Sequence, residues 1–295
     1  MDILLDNSAI STLSCRRKFQ LTVLEGLTSP IRDKSLSFGD AVHKVFEGVD
    51  KGQDLDYAIT ANESNVDPLT LRRTTTFFHA TQHLPPPISI KDKDSGELKP
   101  AVELKFKYHY GKYLTESHKS IDVYLCGTID RIYIEHNKLV ILDYKTAADG
   151  SEYQQDKKVQ SYSLTFQLPF YIYALLRSGI LPAEYEELIK TRNYRTTIFL
   201  IFYNSNPPRY VPVNFAPYPD YFLYNEVPYI INAKVAEAIK VAELKNDPAP
   251  HDGMTVYKAC EYCQFRPACL HMGTEKETEY LERFQKRIYN PMEFR

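Results

Sequence analysis

The chain has 295 residues, enough for one large domain or two smaller ones with a sizeable core. Its formal net charge of -2 excludes a globally basic surface, so any phosphate-binding region must be local. No apolar run approaches the ~18 residues of a membrane span, and no basic segment precedes an apolar one at the N-terminus. We therefore expect a soluble, cytoplasmic protein without membrane contact.

Two helices are predicted near the N-terminus. Apolar residues at helical spacing favour a first helix over residues 8–25, which contains Cys15. A second helix is predicted over Phe38–Val49, with Ser37 as its cap, and it carries His43. A lone histidine on a helix is more often structural than a ligand, so this pattern alone gives His43 no functional role.

The next stretch predicts a helix, a loop and a strand. Residues 65–83 favour a threonine-rich helix, and the prolines over 85–100 favour a loop. Residues 101–109 alternate as a strand does and carry Glu103. Glu103 either joins an acidic cluster or lies on an outer face, and the pattern does not choose between them.

A β-hairpin is predicted over residues 127–146. Runs rich in Val, Ile, Tyr and Leu flank a short polar break at 135–138, which is typical of two antiparallel strands joined by a tight turn. Together with the strand at 101–109, the hairpin predicts a three-stranded antiparallel start to a sheet.

Two acids and a lysine fall on one face of this hairpin. If the loop is symmetric about its two central residues, Asp130 lies opposite Asp143, with Cβ atoms ~4.5 to 5.5 Å apart, and alternation places Lys145 on the same face. Opposed carboxylates destabilise a sheet unless a cation or water compensates them. A divalent ion held by oxygens, Mg²⁺ or Mn²⁺, is the natural candidate, and a solvated surface hairpin is the alternative.

The C-terminal half begins with a polar segment over 147–158. A helix is predicted over 165–178, closed by a glycine, and it places Gln167 and Tyr171 four residues apart on one face. No phosphate-binding G-x-x-x-x-G-K-[ST] loop occurs, so the chain does not resemble an ATP-driven motor. The remaining predicted elements are strands over 196–203 and 209–215 and a long helix over 219–246.

Three cysteines near the C-terminus follow a C-x2-C-x5-C pattern. Cys260, Cys263 and Cys269 at this spacing predict a metal site, because five cysteines in all fit such a site better than a disulfide framework. Cys15 and Cys126 are candidates for a fourth ligand. Cys15 is preferred, because Cys126 lies within a predicted strand, where a cysteine usually serves as a small buried hydrophobic residue. Zn²⁺ and a [4Fe-4S] cluster both accept four thiolates, and spacing does not separate them.

Several motifs occur in a fixed order from about residue 8 to 270. They are a Cys-containing first helix, Phe38-Gly39-x-x-x-His43, Gly127-x-x-Asp130 before Asp143-Tyr144-Lys145, Gln167-x-x-x-Tyr171, and the terminal C-x2-C-x5-C. This order resembles the RecB-like branch of the PD-(D/E)XK nucleases. Its iron-sulfur members are most similar, namely the CRISPR-associated Cas-four-type exonucleases and the AddB C-terminal nuclease domain.

The resemblance implies a fold and a set of site residues. The fold is α/β, a restriction-endonuclease-like mixed central sheet flanked by helices, forming a single domain over 1–295 whose N- and C-terminal segments are joined by an iron-sulfur cluster. The implied catalytic residues are His43, Asp130, Asp143 and Lys145. The implied metal ligands are His43, Asp130, Asp143 and the backbone carbonyl of Tyr144; Glu103 is an accessory acid only if its strand turns it toward them. Gln167 and Tyr171 would line the site and contact DNA, and Cys15, Cys260, Cys263 and Cys269 would hold a [4Fe-4S] cluster, with Zn²⁺ as the alternative.

The resemblance also implies an activity. It is that of a Mg²⁺- or Mn²⁺-dependent deoxyribonuclease, a single-stranded DNA exonuclease in DNA repair, recombination, phage replication or CRISPR adaptation. The substrate would be DNA with exposed ends, and a helicase or CRISPR integrase would be the partner. A non-catalytic iron-sulfur subunit for DNA binding or assembly is the alternative, and an iron-sulfur redox protein is a third, which leaves the acidic hairpin unexplained.

Overall fold

The computed structural model describes residues 1–30, 34–92, 95–116, 118–148, 151–162, 165–244, 247–255, 260–261 and 263–292, without the side chains of 35, 152, 154, 254 and 255. The chain divides into two compact units. Unit 1 comprises Met1–Ile31, Phe106–Gly127 and Asp220–Arg295, and unit 2 comprises Arg32–Lys105 and Thr128–Pro219.

The strands and helices are numbered in chain order. The strands are β1 (Asp2–Leu5), β2 (Leu27–Thr28), β3 (Ser89–Lys91), β4 (Leu98–Pro100), β5 (Val102–Leu114), β6 (Ser120–Glu135), β7 (Lys138–Ala147), β8 (Tyr194–Phe202), β9 (Arg209–Phe215) and β10 (Gln285–Lys286). The helices are α1 (Asn7–Thr12), α2 (Arg16–Phe19), α3 (Lys34–Asp50), α4 (Leu55–Asn62), α5 (Pro68–Thr81), α6 (Glu152–Tyr162), α7 (Gln167–Ser178), α8 (Ala183–Lys190), α9 (Val227–Glu243), α10 (Arg266–Leu270) and α11 (Glu275–Leu281). Short π-helical turns cover Gln20–Leu24 and Phe222–Glu226, and a 3-10 turn covers Asp252–Thr255.

Unit 2 is built on a mixed sheet in the order β6-β7-β8-β9. The β6–β7 and β8–β9 pairs are antiparallel, whereas β7 and β8 are parallel, because α6, α7 and α8 intervene in the chain. Helices α3, α4 and α5 bury apolar side chains against one face of the sheet. Residues of α6 and α7 pack against the other. The predicted mixed α/β fold with a helix-flanked central sheet is confirmed.

The predicted hairpin is formed by β6 and β7. Its paired residues run from Arg131 opposite Leu142 to Glu135 opposite Lys138, which is the symmetric register expected from the sequence. The two loop residues, His136 and Asn137, have φ angles of 49° and 61°. Positive φ at both central positions is typical of a type I′ turn, whose twist matches that of the flanking strands.

Unit 1 contains both ends of the described chain. Strand β1 pairs in parallel with the first half of β6, from Asp2 opposite Asp122 to Leu5 opposite Leu125. Helix α9 buries an apolar stripe that includes Ile231, Val235 and Val241. Across the described residues, every helix is too short or too polar to cross a bilayer.

The first predicted helix is interrupted. Asp6 caps α1, because its Oδ1 accepts a hydrogen bond from the amide of Ala9 at 2.7 Å. Cys15 is extended, with φ -140° and ψ 108°, so α1 ends before it and α2 begins after it. The second helix begins earlier than predicted, at Lys34, and includes Ser37 within it.

Several other boundaries differ from the sequence prediction. The region 85–100, predicted as a loop, contains the antiparallel strands β3 and β4. The polar segment 147–158 contains most of α6, while β1, α4 and α8 were not predicted. The long C-terminal helix starts as the π-helical turn and continues as α9; its last two predicted residues, 245 and 246, lie outside the described residues.

Candidate active site and cysteine site

His43 lies on α3, where apolar residues at helical spacing hold the helix against the sheet of unit 2. Its Nδ1 atom lies 3.4 Å from Oε1 of Glu103 and 3.5 Å from Oδ2 of Asp130. Its Nε2 atom lies 3.1 Å from the carbonyl oxygen of Tyr144. The imidazole is 16% exposed, so an incoming ion or water can still reach it. His43 is thus surrounded by oxygen ligands.

Three side chains in this region can share one cation. Each of His43, Glu103 and Asp130 offers one ligand atom, and these atoms lie within 4.8 Å of one another. Among the described residues, no other group of three or more Asp, Glu, His or Cys side chains has this geometry. Two carboxylates and an imidazole suit Mn²⁺, and carboxylates suit Mg²⁺. The donor set therefore fits the divalent ion expected from the sequence.

Glu103 adopts a backbone conformation that is uncommon for a residue with a side chain. Its φ is 48°, in the left-handed region, although it lies within β5. Such a conformation costs about 1 to 3 kcal/mol and often occurs at active sites. The sequence left open whether Glu103 joins the acids or faces outward, and the structure places it beside His43.

A second set of side chains surrounds Asp143. The Nζ atom of Lys145 lies 2.7 Å from Oδ2 of Asp143 and donates to its Oδ1 at 3.0 Å. The Nε2 atom of Gln167 donates to the same Oδ1 at 2.8 Å and to the hydroxyl of Tyr171 at 2.7 Å. Asp143 is fully buried, whereas Lys145 is 24% exposed. The lysine is thus the part of this set that a substrate can meet.

Tyr144 links the two sets through its backbone. Its amide donates to Oδ2 of Asp130 at 2.6 Å, and its carbonyl oxygen faces His43. The structure therefore brings His43, Asp130 and the Tyr144 carbonyl together, as the family resemblance implies, and adds Glu103 to them. Asp143 is not a member of the compact ligand group and instead contacts Lys145 and Gln167.

The predicted cysteines gather in unit 1. A Cβ atom placed on Gly253 would lie 3.3 Å from the Sγ of Cys15 and 3.4 Å from that of Cys260, so both thiols face the same glycine. Burial, followed by the neighbouring thiols of Cys263, Cys15 and Cys260, raises the pKa of the Cys269 thiol to about 11. Burial, followed by Cys15 and Cys263, also raises the pKa of Cys260. The four thiols therefore lie close enough to affect one another.

Cys126 is placed differently from those four. It is fully buried, and burial raises the pKa of its thiol to about 12, with a further contribution from Asp6. It thus behaves as the small buried hydrophobe expected from the sequence.

Ion pairs fix the chain directly after Cys15. Arg16 binds Asp252 with two parallel contacts, from Nε to Oδ2 at 2.7 Å and from Nη2 to Oδ1 at 2.9 Å, and it lowers the pKa of that carboxyl. Arg17 forms a buried ion pair with Glu277. The thiol of Cys15 is thereby tied to the C-terminal segment that carries the other three.

The family comparison covers nearly the whole chain. The model of the PD-(D/E)XK nuclease superfamily matches residues 8–270. The chain belongs to the PD-(D/E)XK nuclease superfamily. A comparison with curated protein sequences gives no significant match.

One solved structure agrees with this assignment at the level of the fold. The crystal structure of a protein from Eubacterium rectale, described as a candidate exonuclease, aligns with 92% of this chain and 88% of its own, at a TM-score of 0.50 and 12% identity. At that identity the similarity concerns the fold alone. The structure of SSO0001 aligns with 86% of this chain and 92% of its own at 13% identity, but its TM-score of 0.25 is too low to indicate a shared fold.

The sequence interpretation of this PD-(D/E)XK chain missed a buried ion pair behind the site. Arg131, next to Asp130 on β6, binds Oδ1 of Asp50 at 2.9 Å and donates to the carbonyl of Pro85 at 2.8 Å. Burial raises the pKa of Asp50, and Arg131 opposes that effect. Asp50 ends α3, which carries His43, so the pair joins that helix to the strand of Asp130. Strand alternation predicts that Arg131 faces away from Asp130, but no sequence signal identifies its partner.

Proposed function

We propose that this chain is a divalent-metal-dependent DNA nuclease, and specifically an exonuclease that degrades single-stranded ends. The observation that carries this proposal is the gathering of His43, Glu103 and Asp130 within 4.8 Å, next to the Asp143–Lys145 pair on the same hairpin. Superfamily membership supports the reaction class.

The proposed metal ligands are side-chain atoms and one backbone carbonyl of the active site. His43, Glu103 and Asp130 would hold Mg²⁺ or Mn²⁺, together with the carbonyl of Tyr144, and Asp143 completes the proposed set from the neighbouring strand. When bound, such an ion neutralises charge on phosphate oxygens and lowers the pKa of a coordinated water.

The chain's own residues supply binding and orientation. Lys145 presents a partly exposed ammonium, a compact charge suited to a phosphate oxygen or an attacking water. Asp143 holds that ammonium in place through both of its oxygens. Gln167 holds Asp143 in turn, and Tyr171 accepts from Gln167, so the lysine is positioned by a chain of three buried groups. Preorganised charge of this kind stabilises a transition state without further rearrangement.

The proposed biological setting follows from the resemblance to RecB-like nucleases. The sequence lacks a phosphate-binding motor loop, which supports action on ends that a separate helicase or a CRISPR integrase exposes. The proposed processes are DNA repair, recombination, phage replication or CRISPR adaptation, in the cytoplasm.

A [4Fe-4S] cluster is the proposed occupant of the cysteine site, held by Cys15, Cys260, Cys263 and Cys269. Four thiolates can hold either this cluster or Zn²⁺, and the resemblance to the iron-sulfur branch of the nucleases supports the cluster. The cluster would act as a clasp between the chain ends of a single domain over 1–295, and its binding energy would also be folding energy.

One assay tests the proposed activity. End-labelled oligonucleotides, single- and double-stranded, linear and circular, are incubated with Mg²⁺, Mn²⁺ or EDTA. We expect metal-dependent loss of linear single strands and no loss of circles. DNA binding without metal-stimulated turnover would instead support a non-catalytic assembly subunit.

Anaerobic purification tests the proposed cluster. It is expected to give brown protein with iron and sulfide. Stoichiometric zinc without visible absorption would replace the cluster by a zinc clasp.

A further inference from the structure

A cavity of about 510 Å³ opens at the end of the unit 2 sheet, where α5 from one face and α6 from the other meet the connection from β8 to β9. Its described lining includes the aromatic residues Phe77 and Tyr210, the buried amide of Gln155 and one charged side chain, Arg209. Small-molecule sites in proteins are commonly of this size and combine apolar walls with a few fixed polar groups. None of the catalytic residues discussed above lines this cavity.

Arg209 projects from the catalytic face of the sheet. Ala147 pairs with Phe202, and Phe202 pairs with Arg209, so these three residues form one row across β7, β8 and β9. Directly paired residues share a face, and residues two apart on a strand do as well. Lys145 precedes Ala147 by two residues and therefore lies on that face. With ~4.8 Å between strands and ~3.3 Å per residue, the Cα atoms of Lys145 and Arg209 are roughly 12 Å apart.

The guanidinium of Arg209 is held in place. Its Nη1 atom donates to Oε1 of Gln155, a residue of α6 that is 3% exposed. The Nε2 atom of Gln155 lies within 3.4 Å of Oγ of Ser205. A fixed, partly exposed guanidinium binds a phosphate with a smaller loss of side-chain entropy than a flexible lysine would. Arg209 is therefore suited to anchor a phosphate on the catalytic face.

The opposite wall of the cavity is aromatic, because Tyr210 follows Arg209 on β9 and packs on the other face of the sheet, toward α5. The rings of Phe77 and Tyr210 are stacked, with centroids 5.9 Å apart and an interplanar angle of 25°. Proteins bind single-stranded nucleic acids without sequence preference by combining such aromatic surfaces with cationic contacts to the backbone. The cavity thus offers both a phosphate anchor and a surface for a base.

We propose that this cavity is a nucleotide subsite for the DNA strand held at the catalytic site. Arg209 binds a backbone phosphate on the catalytic face, and the adjoining base turns around the end of the sheet into the cavity, against Phe77 and Tyr210 on the α5 side. At ~3.4 Å per stacked nucleotide, and more when the strand is extended, the subsite lies roughly two to four nucleotides from the scissile phosphate. This inference rests on the proposed nuclease function, and it adds a specific requirement for substrate length.

Binding without turnover tests the subsite directly. The full chain is titrated, with Ca²⁺ in place of the catalytic ion, into a fluorescent single strand of about 12 nucleotides, a length within the usual range for one binding site. We expect Arg209→Gln to weaken binding about tenfold and Arg209→Lys to weaken it less, because charge remains but the fixed fork is lost. The matched control is Arg177→Gln, at the opposite end of α7 from Gln167 and about 15 Å along that helix. Unchanged affinity in Arg209→Gln, with its thermal melting intact, would overturn the subsite.

Cleavage separates the subsite from the active site. For the 12-nucleotide strand, Arg209→Gln should raise KM about tenfold and leave kcat unchanged, because it removes binding shared by the ground and transition states. Hydrolysis of bis(p-nitrophenyl) phosphate, which is too short to reach Arg209, should be unaffected. An equal loss on both substrates would contradict the subsite. No hydrolysis of either substrate by the wild-type chain would refute the proposed nuclease function, while the binding titration would still decide whether Arg209 contacts DNA.

A fluorescent base locates the cavity's occupant. 2-Aminopurine is placed at successive positions of the single strand, and its emission is recorded with bound protein. We expect quenching to be strongest roughly two to four nucleotides from the strand end that is held at the active site. Phe77→Leu should remove that maximum, because it removes a stacking surface. A position profile that is identical in Phe77→Leu would show that the base does not enter this cavity.

Discussion

The backbone amide of Tyr144 donates a hydrogen bond to Oδ2 of Asp130 at 2.6 Å. The carbonyl of the same residue faces Nε2 of His43 at 3.1 Å. Because Tyr144 lies between Asp143 and Lys145 in the chain, any shift of β7 against β6 would move these three residues together relative to Asp130. The register of the hairpin therefore sets the position of the Asp143–Lys145 pair relative to Asp130.

Asp130→Asn separates the metal-binding role of this residue from its structural one. Asparagine keeps an oxygen that accepts from Tyr144 but loses the negative charge, so we expect the fold to persist and Mn²⁺ affinity to fall at least about tenfold. Mn²⁺ binding is followed by electron paramagnetic resonance and folding by thermal melting. DNA cleavage should be lost in the same variant.

Asp130→Ala is the matched comparison for that variant. It leaves the buried amide of Tyr144 without an acceptor, which costs about 1 to 3 kcal/mol of stability in addition to the loss of metal. Equal Mn²⁺ affinity in the wild type and Asp130→Asn would show that Asp130 does not bind the ion.

Gln167→Leu tests whether the amide positions Asp143. Removing its donor frees Asp143 and Lys145 to move, and we expect kcat for DNA cleavage to fall about 10- to 100-fold, as for other groups that orient a catalytic residue. Tyr171→Phe keeps the bond from Gln167 to Asp143 and should change kcat by less than about threefold. A rise in KM without a change in kcat would instead assign Gln167 to direct DNA contact.

The hairpin was predictable because its signals are local. Alternation of apolar residues specifies two strands, and the positive φ values of His136 and Asn137 belong to a two-residue turn whose length fixes the register. The same local reasoning predicted α7, which ends at Gly179 in the left-handed conformation with φ 57°.

The partners of the hairpin were not predictable in the same way. Glu103 reaches the site through a left-handed backbone conformation that no propensity favours for glutamate. The pairing of Asp50 with Arg131 joins residues far apart in sequence, and neither has a local signature. Strand β1 was missed because four residues are too few for alternation to be recognised. Family resemblance identified His43, whereas helical periodicity alone favoured a structural role.

Arg131→Met should destabilise unit 2 strongly. Both side chains of the Asp50–Arg131 pair are largely buried, and removing one partner of such a pair leaves an uncompensated charge, at a cost of about 3 to 5 kcal/mol. The double variant Asp50→Asn/Arg131→Met should recover part of this loss. Urea denaturation at neutral pH measures both values. If the double variant were no more stable than the single one, the loss would come from packing rather than from the isolated charge.

The loss of stability caused by Arg131→Met should depend on pH. Burial raises the pKa of Asp50 in the folded protein, and Arg131 is the group that opposes this rise. An acid with a raised folded pKa contributes stability below its unfolded pKa and loses that contribution as pH rises through the folded pKa. Arg131→Met should therefore be less destabilised near pH 4 than near pH 8, relative to the wild type. If Arg131→Met lost the same free energy of unfolding at both pH values, ionised Asp50 would not be the source of the loss.

Loading of the cysteine site should release protons. The pKa of the Cys269 thiol is raised to about 11 and that of Cys260 is also raised, so both are protonated at neutral pH in the metal-free protein, whereas metals bind thiolates. Zn²⁺, used as a probe, should bind more tightly as pH rises, and calorimetry in buffers of different ionisation enthalpy should detect proton release. The metal-free chain should itself lose stability between about pH 9 and 11, as the raised folded pKa is passed. Cys126→Ala, which removes a thiol outside the site, should leave proton release unchanged, and Cys15→Ala should reduce it; an equal reduction in both variants would remove Cys15 from the ligand set.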